Sequence, residues 1–295
     1  MKQPSPEGTA IDQRRFRKWT ARFGGYREPV TNISIESWLK QFRTPDRDLA
    51  ARVLDVVDFY PITQMRNAFR DSLNAIDGWD PDPKKRCGKW RFAAMSSSAG
   101  ESGDMMLYQF RLANALSAAK YSDLFVSRSD LFRLPMLPEN DPNHLGADDT
   151  VVLVDDFSGT GDQICNAWND PATSFGALLA GVGRVFVVLV AGSYRAQRRI
   201  LSETALIPSF AHHLNDSDNI FSEKCRRFTD TEKQLLLRYC TRASRTKPKG
   251  FGECGMVVVF HHRCPNNSLP ILHADSNSWT SLFPRHDTLD DLSGE

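Results

Sequence analysis

The chain has 295 residues, 37 Lys and Arg against 36 Asp and Glu, and a hydrophobic fraction of 41%. That length is ample for a substantial core, and a net charge of +1 leaves no global field to draw the molecule to nucleic acid or a membrane surface. The amino-terminal MKQPSPEGTAIDQRRFRKW lacks the apolar run of a secretory signal, and VFVVLVAG (185–192) is far short of the ~20 residues that span a bilayer, so a cytoplasmic protein without membrane contact is expected.

Residues 1–30 are polar, rich in Arg, Gly and Pro, and are expected to be partly ordered. A helical extension is expected over 31–84. Ile33, Ile35, Trp38, Leu39 and Phe42 recur at helical spacing after Asn32 as a cap. In PDRDLAARVLDVVDFY, Leu49, Val53, Val56 and Val57 form one stripe, and Pro61 separates it from a third helix over 62–77. The turn-rich GWDPDPKK (78–85) leads into an α/β domain expected over 85–295, with a helical insertion at 216–250.

In that domain RFAAMS (91–96) reads as a strand, SSAGESG (97–103) as a small-residue loop, 104–119 as a long helix and SDLFVSR (122–128) as another strand. LFRLPMLPENDPNHLGADD (131–149) contains Pro135, Pro138 and Pro142 and reads as a long loop or irregular arm. A strand at 150–154 follows, then a loop, a helix from about 162, a strand at 184–190 and a helix around 194–202. The rest reads as a strand at 205–214 interrupted by Pro208, a helix at 229–243 and a late strand at 256–262. VVLV and VFVVLV are continuous apolar runs, which predict a mainly parallel sheet covered on both faces. Functional groups then gather at the carboxyl ends of the strands.

The stretch TVVLVDDFSGTGDQ (150–163) places two acids at such an end. It is not a Walker A loop, because no G-x-x-x-x-G-K-[ST] is present. It fails as a dinucleotide fingerprint because Ile164 stands where the third glycine belongs. Asp155 and Asp156 can accept hydrogen bonds from the vicinal hydroxyls of a ribose. Ser158, Gly159, Thr160 and Gly161, opening a helix with Asp162 and Gln163, can present N–H groups, a hydroxyl and a positive helix end to a phosphate.

The stretch resembles the phosphoribosyl pyrophosphate (PRPP) signature of the type I phosphoribosyltransferases. Together with SSSAGESGD and HHRCPNNSLPILHADSNSWTSLFPR it resembles the divergent phosphoribosyltransferase-like family of bacterial conflict systems, over roughly 30–290. That resemblance implies an α/β fold, a mainly parallel sheet of type I phosphoribosyltransferase (Rossmann-like) topology with an N-terminal helical extension. It implies a pyrophosphate loop after an earlier strand, here Ser96, Ser97, Ser98, Gly100, Glu101, Ser102 and Gly103, with Arg111 as a further candidate for the anion. It implies a mobile arm closing over the site, here 131–149 with Arg133. Mg²⁺ is expected at Asp155 and Asp156, held through the ligand. The chain departs from the type I signature at Asp162, where the ordinary transferases have a second glycine. Either that carboxylate turns away as a first-turn helix residue, favourable to the helix dipole, or the pocket holds something other than an ordinary 5′-phosphate.

Two other clusters have bland readings. Cys254, His261, His262 and Cys264 suggest zinc, but a strand at 257–261 sends neighbouring histidines to opposite faces, and structural residues are expected there. The six cysteines contain no C-x-x-C pair and read as free thiols. Arg238, Arg242, Arg245, Lys247 and Lys249 read as a solvated helix end, with nucleic-acid contact as the alternative, and WTSLFPR (279–285) reads as a segment that buries Trp279 and Phe283.

Three functions remain in play. The first is an effector of an anti-phage defence system acting at C1 of a ribosyl phosphate or nucleotide, by glycosyl transfer or hydrolysis. The second is a nucleotide-sensing module without chemistry. The third is a structural subunit of a retron-type nucleoprotein complex with a reverse transcriptase and its RNA–DNA.

Overall fold

The computed structural model describes residues 11–95, 102–170 and 175–285. The amino-terminal elements are α1 (Gln13–Phe23), α2 (Asn32–Lys40), α3 (Arg47–Asp55), β1 (Asp58–Tyr60) and α4 (Ile62–Asn74). The middle of the chain forms β2 (Trp90–Ala94), α5 (Ser102–Ala113), α6 (Arg128–Arg133), β3 (Thr150–Ser158), α7 (Asp162–Asn169) and α8 (Phe175–Leu178). It continues through β4 (Arg184–Ser193), α9 (Tyr194–Glu203), β5 (Ile207–Leu214), α10 (Asp230–Ala243), β6 (Val258–Phe260) and α11 (Pro270–His273). These elements belong to two compact units, one made of 1–62 with 216–295 and the other of 63–215. The boundary expected at 84/85 lies inside the second unit, and the expected insertion 216–250 begins where the chain returns to the first.

The 63–215 unit is an α/β layer structure. Its four strands run in the order β2-β3-β4-β5, all parallel. Val151, Leu153, Val187 and Leu189 are fully buried beside Ile164, Ile200 and Phe210, and Val152, Val154, Val188 and Val190 are buried as well. Burial of both alternating sets is what a continuous apolar strand requires. Pro208 is accommodated because β5 is an edge strand and one missing donor there costs no ladder bond. Phe210 packs where Gly192 leaves room, since a Cβ on Gly192 would lie 2.5 Å from its ring.

The other unit joins α1–α3 and α10 to a two-stranded parallel sheet, β1 with β6, in register from Asp58↔Val258 to Tyr60↔Phe260. Trp19, Phe23, Trp38, Phe42, Trp279 and Phe283 fill its core. The Trp38 and Trp279 indoles both donate to the carbonyl of Ile271, at 2.6 and 3.0 Å, so the WTSLFPR segment is a core element. Capping boxes start α2 (Thr31 with Ser34) and α10 (Thr229 with Glu232). The α2 cap is therefore Thr31, one residue before the expected Asn32.

Three expected elements differ. SDLFVSR makes a 3-10 turn over Ala119–Leu124 and a single bridge, Phe92↔Phe125, in place of a strand. The long helix expected at 104–119 runs Ser102–Ala113 and stops where Ala115 takes a positive φ of 55°. The late strand is confined to Val258–Phe260 and pairs outside the four-stranded sheet. No helix among the described residues is long and apolar enough to cross a membrane.

Candidate functional site

β3 is longer than its apolar core suggested, and both acids lie within it. Asp155 and Asp156 are buried, 4% and 7% exposed, and Asp155 pairs in register with Leu189. Successive strand side chains leave on opposite faces, so one ligand meets both carboxylates only at the carboxyl edge. Asp155 Oδ1 accepts the N–H of Asp156 at 2.9 Å.

The loop that follows is built around its own hydroxyls. Ser158 Oγ accepts the Gly161 N–H and Thr160 Oγ1 accepts the Asp162 N–H, both at 3.2 Å. Gly161 is the left-handed cap residue of α7, at φ 83° and ψ −9°. A Cβ there would sit 3.3 Å from the Ala196 carbonyl oxygen and 3.4 Å from Arg199 Cβ, so glycine serves both the turn and the approach of α7 to α9. Ser158, Gly159, Thr160 and Gly161 are buried and Gln163 is exposed.

Asp162 sits in the first turn of α7 and forms an ion pair with Arg199 on α9, which also bonds Glu203 at 3.0 Å. This is the turned-away arrangement, with a positive charge supplied by the neighbouring helix. Sequence spacing had no means of finding Arg199. It also missed Ser193, which caps α9 by accepting the Ala196 N–H at 2.9 Å and donates to the Gly159 carbonyl at 2.6 Å. A serine between an apolar strand and a helix is a cap signal, but its bond to the loop is tertiary. Beside it, at the carboxyl ends of β4 and β5, the half-exposed Tyr194 stacks on His213, with ring centroids 5.1 Å apart and planes at 17°.

Of the expected pyrophosphate loop, Ser96, Ser97, Ser98, Gly100 and Glu101 lie outside the described residues. Ser102 and Gly103 open α5. β2 ends beside β3, where the Met95 N–H donates to the Val154 carbonyl. Arg111 has partners within its own segment. It lies nine residues into α5, about 13 Å along the axis, donates to the carbonyls of Leu116 and Ser117 at 3.2 and 3.3 Å, and stacks on Phe125.

The arm 131–149 is anchored at the other end of the sheet. Asp149 accepts the N–H groups of Lys89 and Gly146 at 2.7 and 2.9 Å, and Lys89 Nζ donates to the His144 carbonyl. These bonds hold its end where β2 and β3 begin, and Arg133 faces a cavity with Arg91. In the other unit, Cys264 is buried, its thiol donates to the Val258 carbonyl at 3.5 Å, and burial pushes its pKa up to about 12. The carboxyl end of the basic run is largely engaged. Arg242 donates to the Ser278 and Gln41 carbonyls, and Lys249 pairs with Glu253 at 3.2 Å.

A parallel sheet carries a buried acid pair near the end of a central strand, and a hydroxyl–glycine loop follows it and opens the next helix. A family model described as PRTase-CE matches residues 35–285. The chain belongs to this phosphoribosyltransferase-like family. Neither a curated protein nor a solved structure matches significantly. The match takes in both units, so the family's chain includes α2, α3 and the 216–285 region as well as the four-stranded sheet.

Proposed function

We propose that the protein binds a phosphorylated ribose, as a nucleotide or PRPP, at the carboxyl edge of β3 and acts at its C1 by glycosyl transfer or hydrolysis. One observation carries the reading: the buried Asp155–Asp156 pair runs directly into the Ser158–Gly161 loop and the amino end of α7. The carboxylates take the ribose hydroxyls and the loop takes the 5′-phosphate. The Ser158 and Thr160 hydroxyls hold the Gly161 and Asp162 N–H groups, and release of those N–H groups to the phosphate is the ligand-dependent step. The Tyr194–His213 stack fits a nucleobase on the far side of the sugar. Two adjacent hard-oxygen carboxylates suit Mg²⁺, which takes one or two carboxylates and completes its shell with phosphate oxygens and water. Asp155 and Asp156 are the residues that would hold it, and it would neutralise the charge of a departing pyrophosphate or phosphate.

A second reading is a nucleotide sensor or structural subunit without turnover. It is favoured by the Asp162–Arg199 pair, in which a carboxylate stands where the ordinary type I signature has a second glycine. In either case the role we propose is that of an effector or subunit of an anti-phage defence system, of retron type where a reverse transcriptase complex is the partner. Purified protein incubated with Mg²⁺ and PRPP, NAD or nucleotides is expected to release a base, pyrophosphate or ribose phosphate, and Asp155→Asn/Asp156→Asn to abolish it. Turnover unaffected by the double substitution removes the assignment. Binding without product, lost in the same variant, selects the sensor.

A further inference from the structure

Arg91 is the second residue of β2 and is 9% exposed. Among the described residues its one hydrogen bond is to the carbonyl of its own neighbour, Trp90, at 3.0 Å, and it forms no ion pair. Burial lowers its pKa, and the charges of Asp123 and Asp149 only partly offset this. Asp149 is occupied by Lys89 and Gly146. A buried guanidinium with no carboxylate in direct contact is costly to keep, so what lies in front of it matters.

In front of it is a cavity of ≈ 500 Å³ at the free edge of β2, lined by Arg91, Arg133, Phe125 and the carboxylates of Asp123, Asp130 and Asp141, among others. Its size is that of a small-molecule pocket. The carboxylates are held by local bonds: Asp130 accepts the Ser127 hydroxyl at 2.7 Å, Asp141 the Asn143 N–H at 2.8 Å and Asp123 the Ser122 hydroxyl at 3.4 Å. The cavity is therefore two-signed, with guanidinium groups and acceptors lining one apolar-backed space. It is separate from the proposed ribose site. Arg91 is in register with Val151, and Asp155 lies four residues further, about 13 Å along the strand.

We propose that this cavity is a second ligand site, for a small molecule whose phosphate or carboxylate sits on Arg91 and Arg133 and whose amine or amide donates to the aspartates. The ligand supplies the contact ion pair that Arg91 does not make within the protein, and its binding stabilises the 63–215 unit by mass action.

The test is calorimetry and thermal melting of the full chain carrying Asp155→Asn/Asp156→Asn, which silences the other site. The probes are adenosine monophosphate for the phosphate source, L-glutamine for the carboxylate source and inorganic phosphate for the head group alone. Binding of adenosine monophosphate or L-glutamine, weakened about tenfold or more by Arg133→Ala and by Arg91→Met, is expected, and the probe that binds identifies the source. Without ligand, Arg91→Met is expected to melt at or above the parent temperature, because it removes a buried charge that Asp123 and Asp149 only partly offset and keeps the stem. No binding of any probe, binding indifferent to both substitutions, or a loss of more than about 5 °C in unliganded Arg91→Met would each overturn the proposal.

Discussion

Replacing Arg199 with Met tests whether the departure from the family signature is a compensated one. Arg199 and Asp162 are each about one-third exposed, 34% and 30%, so solvent screens the pair and its contribution to stability is about 1 kcal/mol or less. Asp162 keeps the favour of the α7 amino end, worth roughly 0.3–1 kcal/mol. The fold is therefore expected to survive with a small fall in melting temperature. Ligand binding is expected to suffer more. Without Arg199 the Asp162 carboxylate faces the loop uncompensated, and unit like charges about 6 Å apart at an effective dielectric of about 40 repel by ~1.4 kcal/mol. That is about a tenfold loss of affinity for each unit of phosphate charge. Calorimetry with a nucleoside monophosphate at two salt concentrations measures it, and adding Asp162→Asn to Arg199→Met is expected to restore most of the loss. Unchanged affinity in Arg199→Met, or no recovery in the double variant, refutes the reasoning and moves the phosphate off this loop.

Gly161→Ala is expected to destabilise by about 1–3 kcal/mol, because φ is 83° and the new Cβ meets Ala196 and Arg199; a melting curve within 1 °C of the parent would contradict the packing of α7 on α9. Ala115→Gly is expected to stabilise by up to about 1 kcal/mol, since φ is 55° at the end of α5, and chemical denaturation reads it directly. Burial acts to raise the pKa of Asp46, but the Tyr239 hydroxyl at 2.6 Å and Arg43 outweigh it and hold the carboxyl below its ordinary value. A lowered folded pKa gives stability that is present above the unfolded pKa and lost as pH falls through the folded one. Tyr239→Phe is therefore expected to narrow the gap between wild-type stability at neutral pH and at pH below the usual carboxylate range. An unaltered acid limb would show that Asp46 is not the group responsible.

Local pattern carried much of the fold. VVLV and VFVVLV are long apolar runs, and they became the two central strands because burial on both faces leaves no room for alternation. Short runs were less informative. SDLFVSR holds too few apolar residues to separate a strand from a turn, and one bridge is all it forms. DVVDFY reads as the end of a helical stripe, yet its last three residues are β1, and that is decided by β6 some two hundred residues later. The contacts of Arg111 were hidden for a similar reason: its helix was legible, but the carbonyls of Leu116 and Ser117 that hold it depend on where the helix stops.

What the sequence by itself determined is contiguous. The acids, hydroxyls and glycines of 155–163 lie within one strand end, loop and helix start, so their spacing alone places them on one edge. What only the tertiary structure decided are contacts between segments far apart. They are the Arg199 partner of Asp162, the Ser193 tie to Gly159, the return of 216–285 to the amino-terminal helices and the burial of Arg91 without a contact ion pair. Each depends on which surfaces exclude water from one another, and the order of residues along one segment does not specify which distant segment will cover it.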